Sequence, residues 1–123
     1  MENKELTEQI IGCAYKVHNT LGFGFLENVY EECLLIELNK EGLKAEAQRP
    51  ILVKYDNRIV GEYFADIVVN DEFILELKSV KQLITIHELQ LVNYLKATGK
   101  KVGLLINFGE NKVEVRRKVK ELG

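Results

Sequence analysis

The sequence of residues 59–78, IVGEYFADIVVNDEFILELK, decides the fold. Residues 59–69 are rich in β-branched and aromatic side chains, and large apolar residues recur at every second position of 73–77. Asn70 and Asp71, which separate the two runs, are typical turn residues. This pattern predicts two antiparallel strands joined by a tight turn.

Helical periodicity precedes this hairpin. Apolar residues that recur every three or four positions predict a first helix from about Thr7, its expected N-cap, to Leu21. The alternating residues 51–55 predict a strand after Pro50, which completes a three-stranded antiparallel meander with the hairpin. Between the first helix and this strand, a second helix is expected to end at Gly42. Its predicted apolar residues are Leu26, Val29, Cys33 and Ile36.

A third helix and two more strands follow the hairpin. Thr85 and Glu88 have the spacing of a capping box, and the helix that they open is expected to end before Gly99. Residues 102–106 are apolar on both faces, as in a central strand, and Lys112 to Arg117 alternates as a charged edge strand. A helix between strands three and four favours a parallel crossover. The predicted fold is therefore α/β, in the order ααβββαββ, with helices packed on a mixed sheet of four to five strands.

Composition limits the class of protein. The chain of 123 residues is 46% hydrophobic and 29% charged, which is typical of a globular protein, and residues 1–123 are expected to form a single domain. No apolar run approaches the roughly 18 residues of a membrane helix, and Met1–Glu5 is too acidic and polar to begin a signal or transit peptide. We expect no membrane contact and a cytoplasmic location.

We expect any bound metal to be held by oxygen ligands. Cys13 and Cys33 lie in apolar helical patterns and are expected to be buried free thiols. Together with His18 and His87 they lack the short paired spacings of a structural zinc site.

The net charge of −2 and the pI near 5.8 argue against a generally basic nucleic-acid-binding surface, although a local basic groove remains compatible with them.

The hairpin brings three charged residues together. Asp66 lies near the end of its first strand, and alternation places Glu76 and Lys78 on one face of the second. Two neighbouring carboxylates repel each other when ionised, which a bound Mg²⁺ relieves, and an ammonium group beside them can orient a water molecule. Such a group suits phosphodiester hydrolysis, but a surface ion pair on a hairpin would use the same residues, so the spacing alone leaves both interpretations open.

The turn determines whether the two carboxylates share a face. A regular two-residue turn at 70–71 would place Leu75 opposite Asp66, and the carboxylates of Asp66 and Glu76 would then point to opposite faces. A shared site requires a three- or five-residue loop, most simply 70–72 with one residue in the left-handed region, or else a bulge.

Two helices offer further polar side chains. Glu27 is a metal ligand candidate, with stabilisation of its own helix dipole as an equal alternative, and Tyr30 either contacts a ligand or simply packs with its hydroxyl bonded. Gln90 and Tyr94 share one face of the third helix with His87. A buried amide needs partners, which a carboxylate or lysine would supply to Gln90. We assign no catalytic role to His87.

Five ordered motifs span most of the chain: GFLENVY at 24–30, GEYFAD at 61–66, ILELK at 74–78, IHELQLVNYL at 86–95 and GLLINFG at 103–109. Together they resemble the prokaryotic GxxExxY proteins, which are grouped with the PD-(D/E)XK nuclease superfamily. The resemblance implies a restriction-endonuclease-like core and a divalent-metal site on the hairpin.

The resemblance also implies the role of each site residue. Asp66 matches the motif aspartate, and Glu76 with Lys78 matches the Glu-x-Lys element, although Ala65 stands where many members have proline. Mg²⁺ or Mn²⁺ would be held by Asp66, Glu76 and the Leu77 carbonyl, with Glu27 on a second metal or a water. The implied catalytic residues are Glu27, Asp66, Glu76, Lys78 and Gln90, and the implied substrate contacts are Gln90, Tyr94 and Tyr30.

The function that the resemblance implies is metal-dependent cleavage of nucleic acid, with DNA favoured over RNA. One alternative is a catalytically silent module of the same fold that binds nucleic acid or a protein partner. Another is a small structural subunit of a larger complex, which the acidic pI would suit. Because the chain contains no separate recognition domain, we also consider a homodimer or a larger complex.

Overall fold

The computed structural model describes residues 4–120 as three helices and a five-stranded sheet. The elements follow the order ααβββαββ, which confirms the prediction. The expectation based on Met1–Glu5 falls partly on residues outside the described range. No helix between residues 4 and 120 has the length and apolar character needed to span a membrane. The bounds are α1 Lys4–Leu21, α2 Glu27–Lys40, β1 Ala45–Tyr55, β2 Arg58–Val69, β3 Phe73–Lys78, α3 Thr85–Thr98, β4 Val102–Phe108 and β5 Val113–Val119.

The five strands form one mixed sheet in the order β1-β2-β3-β4-β5. β3 and β4 are parallel, and the other three neighbouring pairs are antiparallel. α3 supplies the crossover that a parallel pair requires. β4 is an interior strand between β3 and β5, and all seven of its residues are buried, which agrees with the apolar run seen in the sequence.

Apolar side chains fill a core on each face of the sheet. On one face, α1 and α2 pack against the strands, and their buried residues recur at helical spacing: Leu6, Ile10, Cys13, Ala14 and Val17 on α1 and Tyr30, Leu34 and Leu38 on α2. On the other face, α3 packs through Leu91, Tyr94 and Leu95. Each fully buried aliphatic side chain contributes about 1.5–3 kcal/mol relative to an exposed one, so both faces of the sheet are covered by stabilising contacts.

The first two helices differ in detail from the prediction. Thr7 lies inside α1 and is buried, so it is not the N-cap. Of the apolar residues expected on α2, Ile36 is exposed, and Leu26 is the exposed N-cap residue that precedes the helix. This helix carries apolar residues around most of its circumference, so periodicity alone could not show which stripe faces the core. Of the two free cysteines, Cys13 is buried as expected and Cys33 is only half-buried.

The start of α3 also differs. The N-cap is Ile84 rather than Thr85, and the ring nitrogen Nδ1 of His87 accepts the Ile84 N–H at 3.2 Å. Glu88, which was expected to complete a capping box, instead binds Arg116 at 2.8 Å and Lys118 at 2.5 Å. His87 thus caps its own helix, and Glu88 ties α3 to the edge strand β5.

β1 begins six residues earlier than the 51–55 strand expected from the sequence, and Pro50 lies within it. Because β1 is at the edge of the sheet, a residue without an N–H is tolerated there. β1 pairs with β2 along nearly its whole length, but β2 pairs with β3 only at residues 67–69. Residues 49–65 therefore form a two-stranded arm that extends beyond the rest of the sheet.

Candidate active site

The loop between β2 and β3 sets the register of the site. Val69 pairs with Phe73, so three residues, 70–72, separate the paired strands. Asn70 and Asp71 have φ values of 52° and 57°, and the Glu72 N–H donates to the Val69 carbonyl at 3.0 Å. The turn at Asn70-Asp71 is thus followed by one extra residue, and Asp66 lies opposite Glu76. The register that a shared site requires is confirmed, with two left-handed residues rather than the one expected.

The two carboxylates lie at the point where β2 and β3 separate. The ladder between these strands ends at Ile67 and Leu75. Beyond it, the Asp66 N–H donates to Glu76 Oε1 at 3.3 Å, and the Leu77 N–H donates to Asp66 Oδ2 at 2.8 Å. Each carboxylate thus accepts a backbone N–H from the strand of the other carboxylate, and both are held at one fork in the sheet.

Burial makes ionisation of this pair unfavourable. The pKa of Glu76 rises from 4.5 to about 8, first because the side chain is buried and second because the charge of Asp66 is close. Burial also raises the pKa of Asp66, although the Leu77 N–H opposes the shift. Lys78, half-buried at the end of β3, lowers both pKa values through its positive charge. Near neutral pH the pair therefore favours a bound proton or a bound cation.

Two polar residues at this fork were missed by sequence reasoning. Gln48 lies opposite Asp66 on β1, has a φ of 54°, and donates from Nε2 to Glu31 Oε1 at 2.8 Å. Its side chain also interacts with Asp66, whose pKa it lowers. Burial raises the pKa of Glu31, and Gln48 partly offsets that shift. The i, i+4 spacing of Glu31 from Glu27 was a usable signal, whereas nothing in the sequence marked Gln48.

Glu27 lies close to the carboxylate pair but outside a shared metal cluster. It is the exposed first residue of α2, and its charge raises the pKa values of Asp66 and Glu76. Among residues 4–120, no three His, Cys, Asp or Glu side chains are gathered so that they could hold a metal ion together. The geometry therefore brings together two of the three side chains that were expected to hold metal.

Gln90 and Tyr94 lie on the α3 side of the fork. Gln90 Nε2 donates to the Tyr94 hydroxyl at 3.0 Å, so the partner of this amide is a tyrosine rather than a carboxylate or lysine. Burial raises the pKa of Tyr94, and the charges of Glu76 and Asp66 raise it further. The Tyr94 ring packs at a tilt against Tyr63, with centroids 5.7 Å apart. Both expected substrate contacts on α3 are thus next to the carboxylate pair.

Tyr30 does not reach the site. It is completely buried, its ring stacks on Phe108 with centroids 4.5 Å apart, and its hydroxyl donates to the Gly22 carbonyl at 2.6 Å. The same hydroxyl accepts the Phe25 N–H at 3.3 Å. Of the two readings of Tyr30, packing with a bonded hydroxyl is the one observed, and its role is to fix the loop that leads into α2.

The donor atoms at the fork suit a hard divalent cation. Asp66 and Glu76 each use one oxygen for a backbone N–H, and each has a second carboxylate oxygen. Leu77 directs its N–H toward Asp66, and because a strand residue's carbonyl points to the same side as its N–H, the Leu77 carbonyl faces the fork too. An all-oxygen set beside a carboxylate that resists ionisation fits a hard divalent cation better than a metal that prefers sulfur ligands.

Comparison with known proteins agrees with this arrangement. A model of the PD-(D/E)XK nuclease superfamily matches residues 4–118. That segment contains the whole hairpin and α3. None of the curated proteins matches the sequence significantly.

Solved structures share the fold. The crystal structure of SSO0001 has a TM-score of 0.60 and 17% sequence identity, over 78% of this chain and 50% of that one, so this chain spans about half the length of that protein. The crystal structure of an alkaline exonuclease (LHK-Exo) from Laribacter hongkongensis has a TM-score of 0.42 and 10% identity, over 97% of this chain and 83% of that one. Together with the family match, the first likeness identifies the mixed sheet and its helices as the expected α/β restriction-endonuclease-like fold.

Proposed function

Because the chain belongs to the PD-(D/E)XK nuclease superfamily, we propose that it is a nuclease that hydrolyses phosphodiester bonds with the help of Mg²⁺ or Mn²⁺. The observation that carries the proposal is the convergence of Asp66 and Glu76 at the fork between β2 and β3, with Lys78 beside them. We further propose that the chain is a GxxExxY protein and that DNA is a better substrate than RNA.

Asp66, Glu76 and the Leu77 carbonyl would hold the metal ion. When bound, the ion neutralises the carboxylate pair and stabilises negative charge on the phosphate. The raised pKa of Glu76 supports this assignment, because a buried carboxylate pair is destabilised until a cation or proton compensates its charge. Glu27, which is exposed at the start of α2, would bind an outer water or a second ion.

The remaining residues would act on the substrate and on water. Water would attack the phosphorus and the bond from phosphorus to the 3′-oxygen would break, while the water releases one proton and the leaving 3′-oxygen takes one up. The products are a 5′-phosphate and a 3′-hydroxyl, and the Lys78 ammonium would stabilise the charge that develops on the phosphate. Gln90 and Tyr94 hold each other by a 3.0 Å hydrogen bond and present polar groups from α3 toward the same fork.

A cleavage assay tests this function. The wild type, Asp66→Asn and Lys78→Ala are incubated with labelled single-stranded DNA, duplex DNA and RNA in Mg²⁺, in Mn²⁺ and in EDTA. Glu62→Gln is the matched control, because Glu62 is an exposed carboxylate on the same strand as Asp66. Cleavage by the wild type and Glu62→Gln that disappears in EDTA and in both site variants supports the proposal. Cleavage that persists in Asp66→Asn contradicts it.

A second candidate function is binding without catalysis. It is favoured by the lack, among residues 4–120, of a three-ligand side-chain cluster. Calorimetric titration of Mn²⁺ separates the two candidates. A nuclease binds Mn²⁺ in the wild type and Glu62→Gln but not in Asp66→Asn, whereas a silent module shows no binding that depends on Asp66.

A further inference from the structure

A cleft of about 1280 Å³ lies between α3 and the arm. The lining includes Gln90 and Tyr94, the α3 residues next to the carboxylate pair. The cleft follows α3 from Ile86 to Thr98, and Lys100 also lines it. Through Gln90 and Tyr94 the cleft adjoins the candidate active site, although Asp66, Glu76 and Lys78 do not line it.

The charge of the cleft differs from that of the whole protein. Four basic residues line it and no aspartate or glutamate does, although the chain carries a net charge of −2. Arg49 and Lys100 are paired with carboxylates: both bind Asp71, at 2.6 and 3.3 Å, and Arg49 also binds Glu46 at 3.4 Å. Lys54 and Lys96 make no ion pair within the described part of the chain. The cleft therefore carries a surplus of positive charge that suits an anionic ligand.

Apolar and aromatic side chains are exposed beside these cations. Tyr63 on the arm is 48% exposed, and one side of its ring is supported by Tyr94. Val60, Ile86 and Leu89 line the cleft and are each more than half exposed. Exposed apolar side chains that are gathered together beside polar groups commonly mark a binding site.

We propose that this cleft binds a single, unpaired strand of nucleic acid. Bases stack on Tyr63 and contact the apolar wall, while Lys54 and Lys96 bind phosphates. A duplex presents phosphates and sugars on its outside and stacks its base faces inside, so it offers nothing to the apolar wall; an unpaired strand offers bases and phosphates together. The inference rests on the proposed function and specifies its substrate as single-stranded.

Fluorescence anisotropy with labelled oligothymidylate tests the proposal. Binding is measured in EDTA, so that no cleavage interferes, and a blunt duplex of mixed sequence is the comparison. The wild type should bind the single strand at least tenfold more tightly than the duplex. Tyr63→Ala should weaken single-strand binding about 5- to 150-fold, the range for loss of one stacked base. Lys96→Ala should reduce the slope of log K against log salt by about 0.7.

Matched controls come from outside the cleft. Tyr15 on α1 is 45% exposed, and Lys101 is an exposed lysine that follows α3; Tyr15→Ala and Lys101→Ala should bind like the wild type. Equal affinity for the duplex, or Tyr63→Ala binding like Tyr15→Ala, overturns the proposal. So does a poly-glutamate peptide that competes as well as oligothymidylate, since the cleft would then recognise acidic protein.

The two proposals can fail separately. If single-strand binding depends on Tyr63 and Lys96 but no substrate is cleaved in Mg²⁺ or Mn²⁺, the cleft is assigned correctly and the nuclease function is not. If metal-dependent cleavage occurs and Tyr63→Ala cleaves every substrate at the wild-type rate, the nuclease function stands and the cleft assignment is wrong.

Discussion

The substitution Glu76→Gln tests the electrostatics of the carboxylate fork. The pKa of Glu76 is raised from 4.5 to about 8 in the folded protein. Between these values the folded protein keeps a proton that the unfolded chain has released. The stability linked to Glu76 is therefore fully present below about pH 4.5 and is lost as the pH rises toward about 8. Without metal, the wild type should become less stable as the pH rises through this window.

The size of the effect follows from the shift. Each pH unit inside the window costs about 1.4 kcal/mol, so raising the pH from about 5.5 to about 8 should lower the free energy of unfolding by about 3 kcal/mol. Glu76→Gln should remove this fall and be more stable than the wild type at the higher pH, because the neutral amide keeps an oxygen that can accept the Asp66 N–H. Added Mg²⁺ should stabilise the wild type at the higher pH and leave Glu76→Gln unchanged.

Urea denaturation in EDTA at the two pH values measures the pH dependence, and a parallel series in Mg²⁺ without EDTA measures the effect of the metal. Glu62→Gln should keep the pH dependence of the wild type, because Glu62 is exposed. The reasoning is refuted if wild-type stability is the same at both pH values or if Glu76→Gln retains the full fall. In either case the carboxylate of Glu76 would ionise in the fold without penalty.

Three further substitutions test other parts of the structure. Lys78→Ala should keep Mn²⁺ affinity in calorimetry and lose cleavage at least about 100-fold; an equal loss of metal affinity would show a structural role. Gly103→Ala should destabilise the protein by about 1–3 kcal/mol in urea denaturation, because the new Cβ would lie 2.6 Å from Leu91 Cδ1. If the variant is as stable as the wild type, α3 shifts freely to make room for the methyl group. Tyr30→Phe should cost about 1–2 kcal/mol of stability in the same assay while leaving the KM for substrate unchanged; a raised KM with unaltered stability would restore Tyr30 as a substrate contact.

The order of elements could be predicted because each element has a clear local signal. Periodicity gave the helices and strands, and the helix between β3 and β4 indicated the parallel pair. The prediction was wrong where one sequence pattern is compatible with more than one structure. The stripe of α2 that faces the core was misassigned because apolar residues surround that helix, and β1 was shortened because Pro50 looked like a boundary although an edge strand accepts it.

The candidate site was predictable where it depends on strand register. Asp66 can lie opposite Glu76 only if the hairpin has a three- or five-residue loop or a bulge, and the structure has the three-residue loop. Gln48 could not be predicted, because its role depends on a left-handed backbone conformation that only the packing of β1 against the fork reveals. The buried environment of Tyr30 likewise depends on tertiary contacts with β4.

The arm gives the fork a mechanical property. Asp66 directly follows the arm, whereas Glu76 belongs to β3 in the centre of the sheet. The two strands of the arm pair only with each other, and only Ile51 and Ala65 of the arm are buried with the α3 residues. A hairpin with so few buried contacts is a candidate for local opening that leaves the rest of the fold intact. If the arm moves away from α3, Asp66 would move with it and the two carboxylates would separate. A ligand that touches both the arm and α3 favours the docked arm, so its binding and the assembly of the carboxylate pair are thermodynamically coupled.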